Sequence, residues 1–223
     1  MKKIFIGIIC LLCICGCGKK NITKKDWHTD LTNTEAYMST EVMDVFNRAT
    51  TDSTKSYKAI ALLGTQVVAG TNYMFLTIED NSSYKIIIIY NDLENNSTIT
   101  SVKDFDYTKY VFENIDYNSE ELAGGWSVYQ EPVLTDVHYP IFDEKIISAF
   151  SKAIQKLVGV TYIPITSLGH LDEDGTKYAL LCYGSLATPN YDSGIFLVTL
   201  YDQNENTKEI VSSAYINLAD FNK

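Results

Sequence analysis

Apolar positions along the chain recur with two periods, and each marks one kind of element. Met38, Val42, Val45, Phe46 and Ala49 fall at i, i+4, i+7, i+8 and i+11, one face of a helix. Ser39-Thr40-Glu41 supplies an N-terminus for its main part. Ile146, Ala149, Phe150, Ala153 and Leu157 form the same stripe further on, with Phe46 and Phe150 in matching places. After each helix come runs rich in Ile, Val, Tyr and Thr, parted by Asn, Asp, Ser and Gly. These predict strands over 57–66, 70–78, 84–91 and 97–102, and again over 161–170, 176–184, 194–201 and 209–216. Short turns between them predict antiparallel pairing.

The two sets repeat one another. Tyr57 to Gly64 recurs as Tyr162 to Gly169, an offset of 162 − 57 = 105. The offset holds at Leu63/Leu168, Gly64/Gly169, Gly70/Gly175, Thr71/Thr176 and Tyr73/Tyr178. Tyr90 and Tyr201 align at 201 − 90 = 111, and Trp27 and Trp126 open the two units at 126 − 27 = 99. Constant offsets across separated positions indicate a tandem duplication. The expected fold class is α+β: two tandem domains, residues 27–115 and 124–223, each one helix packed on a four-stranded antiparallel sheet. Asp116 to Gly125, acidic and ending Gly124-Gly125, is the expected junction.

The N-terminus adds a location. Met1-Lys2-Lys3 is cationic, Ile4 to Ile14 is almost wholly apolar, and Ile14-Cys15-Gly16-Cys17 closes the run. An apolar run this short is a signal peptide rather than a span of about 20 residues. Its ending resembles a bacterial lipobox, which implies cleavage after residue 16 and lipidation of Cys17. Residues 17–26 then tether the chain to the extracytoplasmic face of the cell membrane, with four lysines between Gly18 and Lys25 within reach of anionic headgroups.

Composition narrows the chemistry. The 223 residues carry 18 Lys+Arg against 28 Asp+Glu, a net charge of −10. Loss of Lys2 and Lys3 with the signal makes it −10 − 2 = −12. Such an acidic chain is a poor match for nucleic acid, whose affinity comes from cations on phosphates. Only Cys17 and Cys182 survive processing. With Cys17 lipidated, no disulfide forms, and Cys182 in an apolar run reads as a buried, inert thiol. His28, His138 and His170 are widely spaced with no Cys or paired His nearby, a pattern that does not point to a zinc site. Asp172-Glu173-Asp174-Gly175 lacks the ligand pattern of an EF-hand and reads as a solvated acidic turn. No catalytic residue, metal or cofactor is assigned, and no acid/base constellation suggests an enzyme.

One segment carries a functional argument. Gln66-Val67-Val68-Ala69-Gly70-Thr71-Asn72-Tyr73 lies between the first two strands, after an amphipathic helix. It resembles the Gln-x-Val-x-Gly hairpin loop of the cystatins, especially the stefin type, in the order of elements found there. The resemblance covers most of the first unit. It implies noncovalent inhibition of papain-like cysteine proteases by a hairpin wedge, with Gln66, Val67, Val68, Ala69 and Gly70 at the protease and Leu93 in the second hairpin. Val67 and Val68 offer stiff apolar surface, Gly70 permits positive φ and close approach, and a preformed hairpin loses little entropy on docking. The plainer alternative makes Gly64 and Gly70 a bulge and a turn. The chain also departs from the family. The second turn, Asn91 to Asn96, lacks a Pro-Trp pair, and the segment before the first helix lacks a glycine. In the second unit the loop is His170-Leu171-Asp172-Glu173-Asp174-Gly175. The expected partner is therefore a papain-like protease, or another extracellular protein bound by a non-inhibitory surface module of the same fold.

Overall fold

Helix α1 (Thr40–Thr50) starts where the Ser39 hydroxyl accepts from the Val42 amide at 3.3 Å, a cap worth about 1 kcal/mol. Helix α2 (Glu144–Ile154) is capped by Asp143, whose carboxylate accepts from the Lys145 amide at 2.7 Å. The strands are β1 (Tyr57–Val68), β2 (Gly70–Glu79), β3 (Ser83–Asn91) and β4 (Ser97–Asp104), then β5 (Ser127–Val128), β6 (Val133–Leu134) and β7 (Pro140–Ile141). After α2 come β8 (Val160–Glu173), β9 (Gly175–Leu186), β10 (Ser193–Asp202) and β11 (Lys208–Ile216). Short 3-10 turns, Tyr107–Tyr110 and Leu218–Phe221, follow β4 and β11. This computed structural model describes residues 38–111, 127–128, 133–134, 140–141, 143–186, 193–203 and 208–222. The signal segment, Cys17 and its tether, Trp27, His28, Trp126, His138 and the 116–125 junction lie outside the described residues. No helix among the described residues is long and apolar enough to cross a membrane.

The eight predicted strands and two predicted helices are present, in a tandem layout with one helix per unit. The α+β expectation is nonetheless overturned. The described chain is mostly sheet: each helix has only 11 residues, and two large antiparallel sheets dominate. The first sheet runs β1-β2-β3-β4, as expected, whereas the second gains β5 at its edge in the order β11-β10-β9-β8-β5. Ser127 and Val128 pair there with His170 and Gly169. Leu157, expected in the second helical stripe, lies beyond the end of α2, partly buried against the same cluster.

The physical reason is that both faces of both sheets are covered. Ile87, Ile89, Phe75 and Leu62 pack under α1 with Met43, Val45 and Phe46. Ile86, Ile88, Met74 and Leu76, on the opposite face, share one core with Leu181, Tyr183, Ile195 and Leu197 of the second sheet. Leu180, Cys182, Val198 and Leu200 turn outward to α2 and its Phe150. The layers are therefore helix, sheet, sheet, helix. A strand buried on both faces reads as a continuous apolar run, which accounts for Ile86-Ile87-Ile88-Ile89. Burying the inner faces removes apolar area from water at roughly 25 cal/mol per Å2, a gain that separate domains with one bare sheet face would forgo.

The repeat extends to backbone irregularities. Register shifts in β1 fall between Ala59 and Ala61 and between Leu62 and Gly64. Those in β8 fall between Pro164 and Thr166 and between Ser167 and Gly169, each 105 residues later. The skipped residues, Ile60, Leu63, Ile165 and Leu168, all sit in the inter-sheet core. Bulges bend a strand and increase its twist, so each unit shapes its first strand to the other sheet in the same way.

Candidate functional site

The β1–β2 hairpin carries the expected loop at its tip. Gln66 pairs in register with Asn72, Val67 with Thr71 and Val68 with Gly70, leaving Ala69 alone at the bend. Successive side chains of a strand point to opposite faces. Yet Val67 and Val68 are both exposed, at 55% and 38%. The hairpin therefore projects past the layers that cover the sheet elsewhere.

Two of the expected contact residues are engaged within the hairpin. Gln66 is buried, and its Oε1 accepts from Asn72 Nδ2 at 2.8 Å. Gly70 has φ +142°, and a Cβ there would lie 2.5 Å from the Asn91 carbonyl and 2.9 Å from the Tyr90 ring. The ring is there because the Tyr90 hydroxyl donates to the Ala69 carbonyl at 2.6 Å, pinning the bend. The second unit repeats the device. The Tyr201 hydroxyl donates to the Asp174 carbonyl. Gly175 has φ +118°, and its Cβ would meet the Tyr201 ring at 3.0 Å. Glycine and tyrosine thus serve the hairpin in both units, whatever the loop between them displays. Tyr90 was not among the expected site residues; the recurrence of both Gly70/Gly175 and Tyr90/Tyr201 in the two units is the signal that finds it.

The β3–β4 turn stands at the same end of the sheet, because Thr71 of β2 pairs with Asn91 of β3. Asp92 organises it. Its carboxylate accepts from the Asn96 side chain at 2.9 Å and from the amides of Glu94 and Asn96, both at 2.8 Å. Donation by Asn96 and then by Glu94 holds the Asp92 carboxyl below its usual value. With that acid satisfied within the turn, Leu93 stands out at 85% exposure. At the base of the turn, Arg48 of α1 donates to Ser97 Oγ at 3.3 Å and to Asn91 Oδ1 at 3.5 Å.

The fold thus assembles Val67, Val68, Ala69 and Leu93 at one rim of the first sheet. The second unit's matching hairpin is acidic and tied up internally: Asp172 accepts from Thr176 Oγ1 and Asp174 from Gln203 Nε2, both at 3.0 Å. Cys182 is fully buried under α2, and burial pushes its thiol well up. No group of three metal-ligating side chains occurs among the described residues. No protein-family model matches the chain, and no curated protein matches it.

Proposed function

We propose that the rim formed by Val67, Val68, Ala69 and Leu93 is a protein-docking edge, and that its partner is a papain-like cysteine protease held noncovalently at its cleft. The supporting observation is the pairing of two exposed apolar tips, each fixed by its own hydrogen bonds, at one end of a rigid sheet. Preorganised tips lose little entropy on binding, and removing apolar tips from water is favourable. In this reading the chain works outside the cytoplasm, anchored to the membrane through a lipid on Cys17.

The test is inhibition of papain-like proteases by the full chain. Charges at the exposed positions (Val67→Asp, Val68→Asp, Leu93→Asp) strand a carboxylate in the cleft at roughly 1–3 kcal/mol each. Inhibition should therefore weaken about fivefold to a hundredfold per substitution, at unchanged melting temperature. Lack of inhibition by the parent across several such enzymes defeats the reading. Gly70→Glu is a poor probe, because its Cβ would strike the Asn91 carbonyl and disturb the hairpin itself.

A second reading has its own support. Gln66 and Gly70, two of the three fixed positions of the Gln-x-Val-x-Gly pattern, are engaged within the hairpin. The glycine–tyrosine pin also recurs where the loop is acidic. Those residues then belong to the scaffold, and the same apolar rim serves a non-inhibitory surface module for another extracellular protein. Capture of a partner that is lost on Leu93→Asp, without protease inhibition by the parent, distinguishes the two.

A further inference from the structure

Strand β1 lies at one edge of the first sheet and pairs, among the described residues, with β2 alone. Its counterpart β8 has a further neighbour on that side: Ser127 of β5 pairs with His170, and Val128 with Gly169. The outer side of an edge strand presents a row of amides and carbonyls, a template for another strand.

The duplication points to the strand that fits it. The chain has two tryptophans, Trp27 and Trp126, which open the two units 99 residues apart. β5 is the pair of residues directly after Trp126, and the matching pair after Trp27 is His28-Thr29. The partners of β5, His170 and Gly169, correspond to Thr65 and Gly64 at the offset of 105. The backbone there is alike too. A register shift ends at Gly169 in β8 and at Gly64 in β1, so the bulge that bends β8 where β5 joins it also bends β1.

Chain length agrees. Fifteen residue steps separate Val128 from Asp143, the cap of α2, but the eight from Val133 to Ile141 form a hairpin whose ends pair. Seven steps and one strand spacing remain, at most about 30 Å. Ten steps separate Thr29 from Ser39, the cap of α1, and ten reach about 33 Å. The helices stand alike on their sheets through Phe46 and Phe150. The first unit therefore omits the hairpin and still closes the same gap.

We propose that Trp27-His28-Thr29 docks on the outer edge of β1 as an added antiparallel strand, with His28 opposite Thr65 and Thr29 opposite Gly64. The edge is recognised through main-chain hydrogen bonds, and its occupant is the chain's own N-terminal segment. Because the pairing is antiparallel, the residues before Trp27 continue toward Gln66 and Val67. The tether then leaves the fold beside the apolar rim. With a lipid on Cys17, a step that rests on the anchor proposed above, about 33 Å of chain at most separates Trp27 from the membrane. The rim takes its partner at that surface.

The experiment is amide hydrogen exchange on the processed chain, residues 17–223, read at Gly64 and Thr65. One of these adjacent amides points to β2 and the other outward. The outward amide should exchange slowly in the parent. His28→Pro with Thr29→Pro, which removes both donors of the docked segment, should speed it at least tenfold, with the Ser101 and Val102 amides of β4 unchanged. A second readout is a disulfide. With Cys17→Ser, His28→Cys should cross-link under mild oxidation to Thr65→Cys in preference to Thr98→Cys on β4, the opposite edge of the sheet. Cys182 is buried and does not compete. Fast exchange of both amides in the parent overturns the docking. So does protection that survives the two prolines, which would mean that a second copy or another strand holds the edge. Equal cross-linking at the two edges overturns the register. Neither readout involves a protease, so loss of the inhibitor reading leaves this result standing, and the reverse.

Discussion

The hydroxyl of Tyr183 donates a 2.7 Å hydrogen bond to the main-chain carbonyl of Leu62, across the interface of the two sheets. Tyr183 is 1% exposed and Leu62 2%, so neither group has water as an alternative. Phe105 and Phe221 meet at the same interface with ring centroids 6.2 Å apart, and Ser212 Oγ donates to the Val111 carbonyl at 3.1 Å. Tyr183→Phe should cost about 1–2 kcal/mol, the price of an orphaned buried carbonyl. Urea denaturation should read this as a lower midpoint at unchanged slope. Because the units share one core, the parent should unfold in a single transition by fluorescence and circular dichroism alike. Two separated transitions would contradict the shared core.

Gly70 and Gly175 should respond alike to substitution, although only one lies in the cystatin-like loop. Both have positive φ, and an added Cβ would lie 2.5 Å from the Asn91 carbonyl in one and 2.7 Å from Gln203 Cα in the other. Gly70→Ala and Gly175→Ala should each destabilise by roughly 1–3 kcal/mol. Tyr90→Phe and Tyr201→Phe, which remove only the hydrogen bond at the exposed bend, should cost about 1 kcal/mol or less. Thermal melts of the four variants check the ordering. A Gly70→Ala variant as stable as the parent would show that the hairpin adjusts, and that the glycine is free to serve a partner.

The strands were legible because their runs are rich in β-branched and aromatic residues and end at Asn, Asp, Ser and Gly. β1, β3 and β10 begin within one residue of expectation, whereas β8 runs on to Glu173, past the expected end at 170. Helix α1 was legible from its stripe and its Ser39 cap. The layer arrangement was misread, although a signal for it was present. Ile86 to Ile89 and Leu180 to Tyr183 do not alternate with polar residues, and a strand with one wet face does. The fifth strand carried little signal, since β5 is two residues long and its pairing with β8 depends on tertiary context. At the rim, the cystatin resemblance named Gln66, Val67, Val68, Ala69, Gly70 and Leu93 together, with nothing to separate exposed residues from those engaged within the hairpin. Strand register sends Gln66 inward, and only coordinates place the Tyr90 ring against Gly70.

Cys182 should be unreactive in the folded chain. It is fully buried between Leu180, Phe196 and α2, and burial pushes its thiol well above the usual range. The nucleophile is the thiolate, so both exposure and ionisation oppose reaction. Ellman's reagent at pH 8 should leave Cys182 unmodified until urea unfolds the chain, and its labelling should then follow the global transition. Cys182→Ser should destabilise, placing a hydroxyl among Leu180, Val198 and Phe196. Rapid native labelling of Cys182 would mean that α2 lifts from the sheet without global unfolding.

Acid should release the turn that displays Leu93. Donation by the Asn96 side chain and amide, and then by the Glu94 amide, depresses the Asp92 carboxyl in the folded chain. A depressed carboxylate contributes stability that is fully present above the unfolded value, about 3.9, and that disappears as pH falls through the lower folded value. The turn should therefore stay intact throughout the neutral and mildly acidic range and loosen only below about pH 3.9. The amide resonances of Glu94 and Asn96 report this directly, because both donate to Asp92 Oδ1 at 2.8 Å. They should titrate together with a midpoint below that value, and Asp92→Asn should abolish the titration. The same substitution weakens the acceptor for both amides and should loosen Leu93. In the inhibitor reading it should weaken protease binding even though Asp92 itself meets no protease. A shared midpoint above 3.9 would mean that the turn does not hold the carboxylate as the geometry requires.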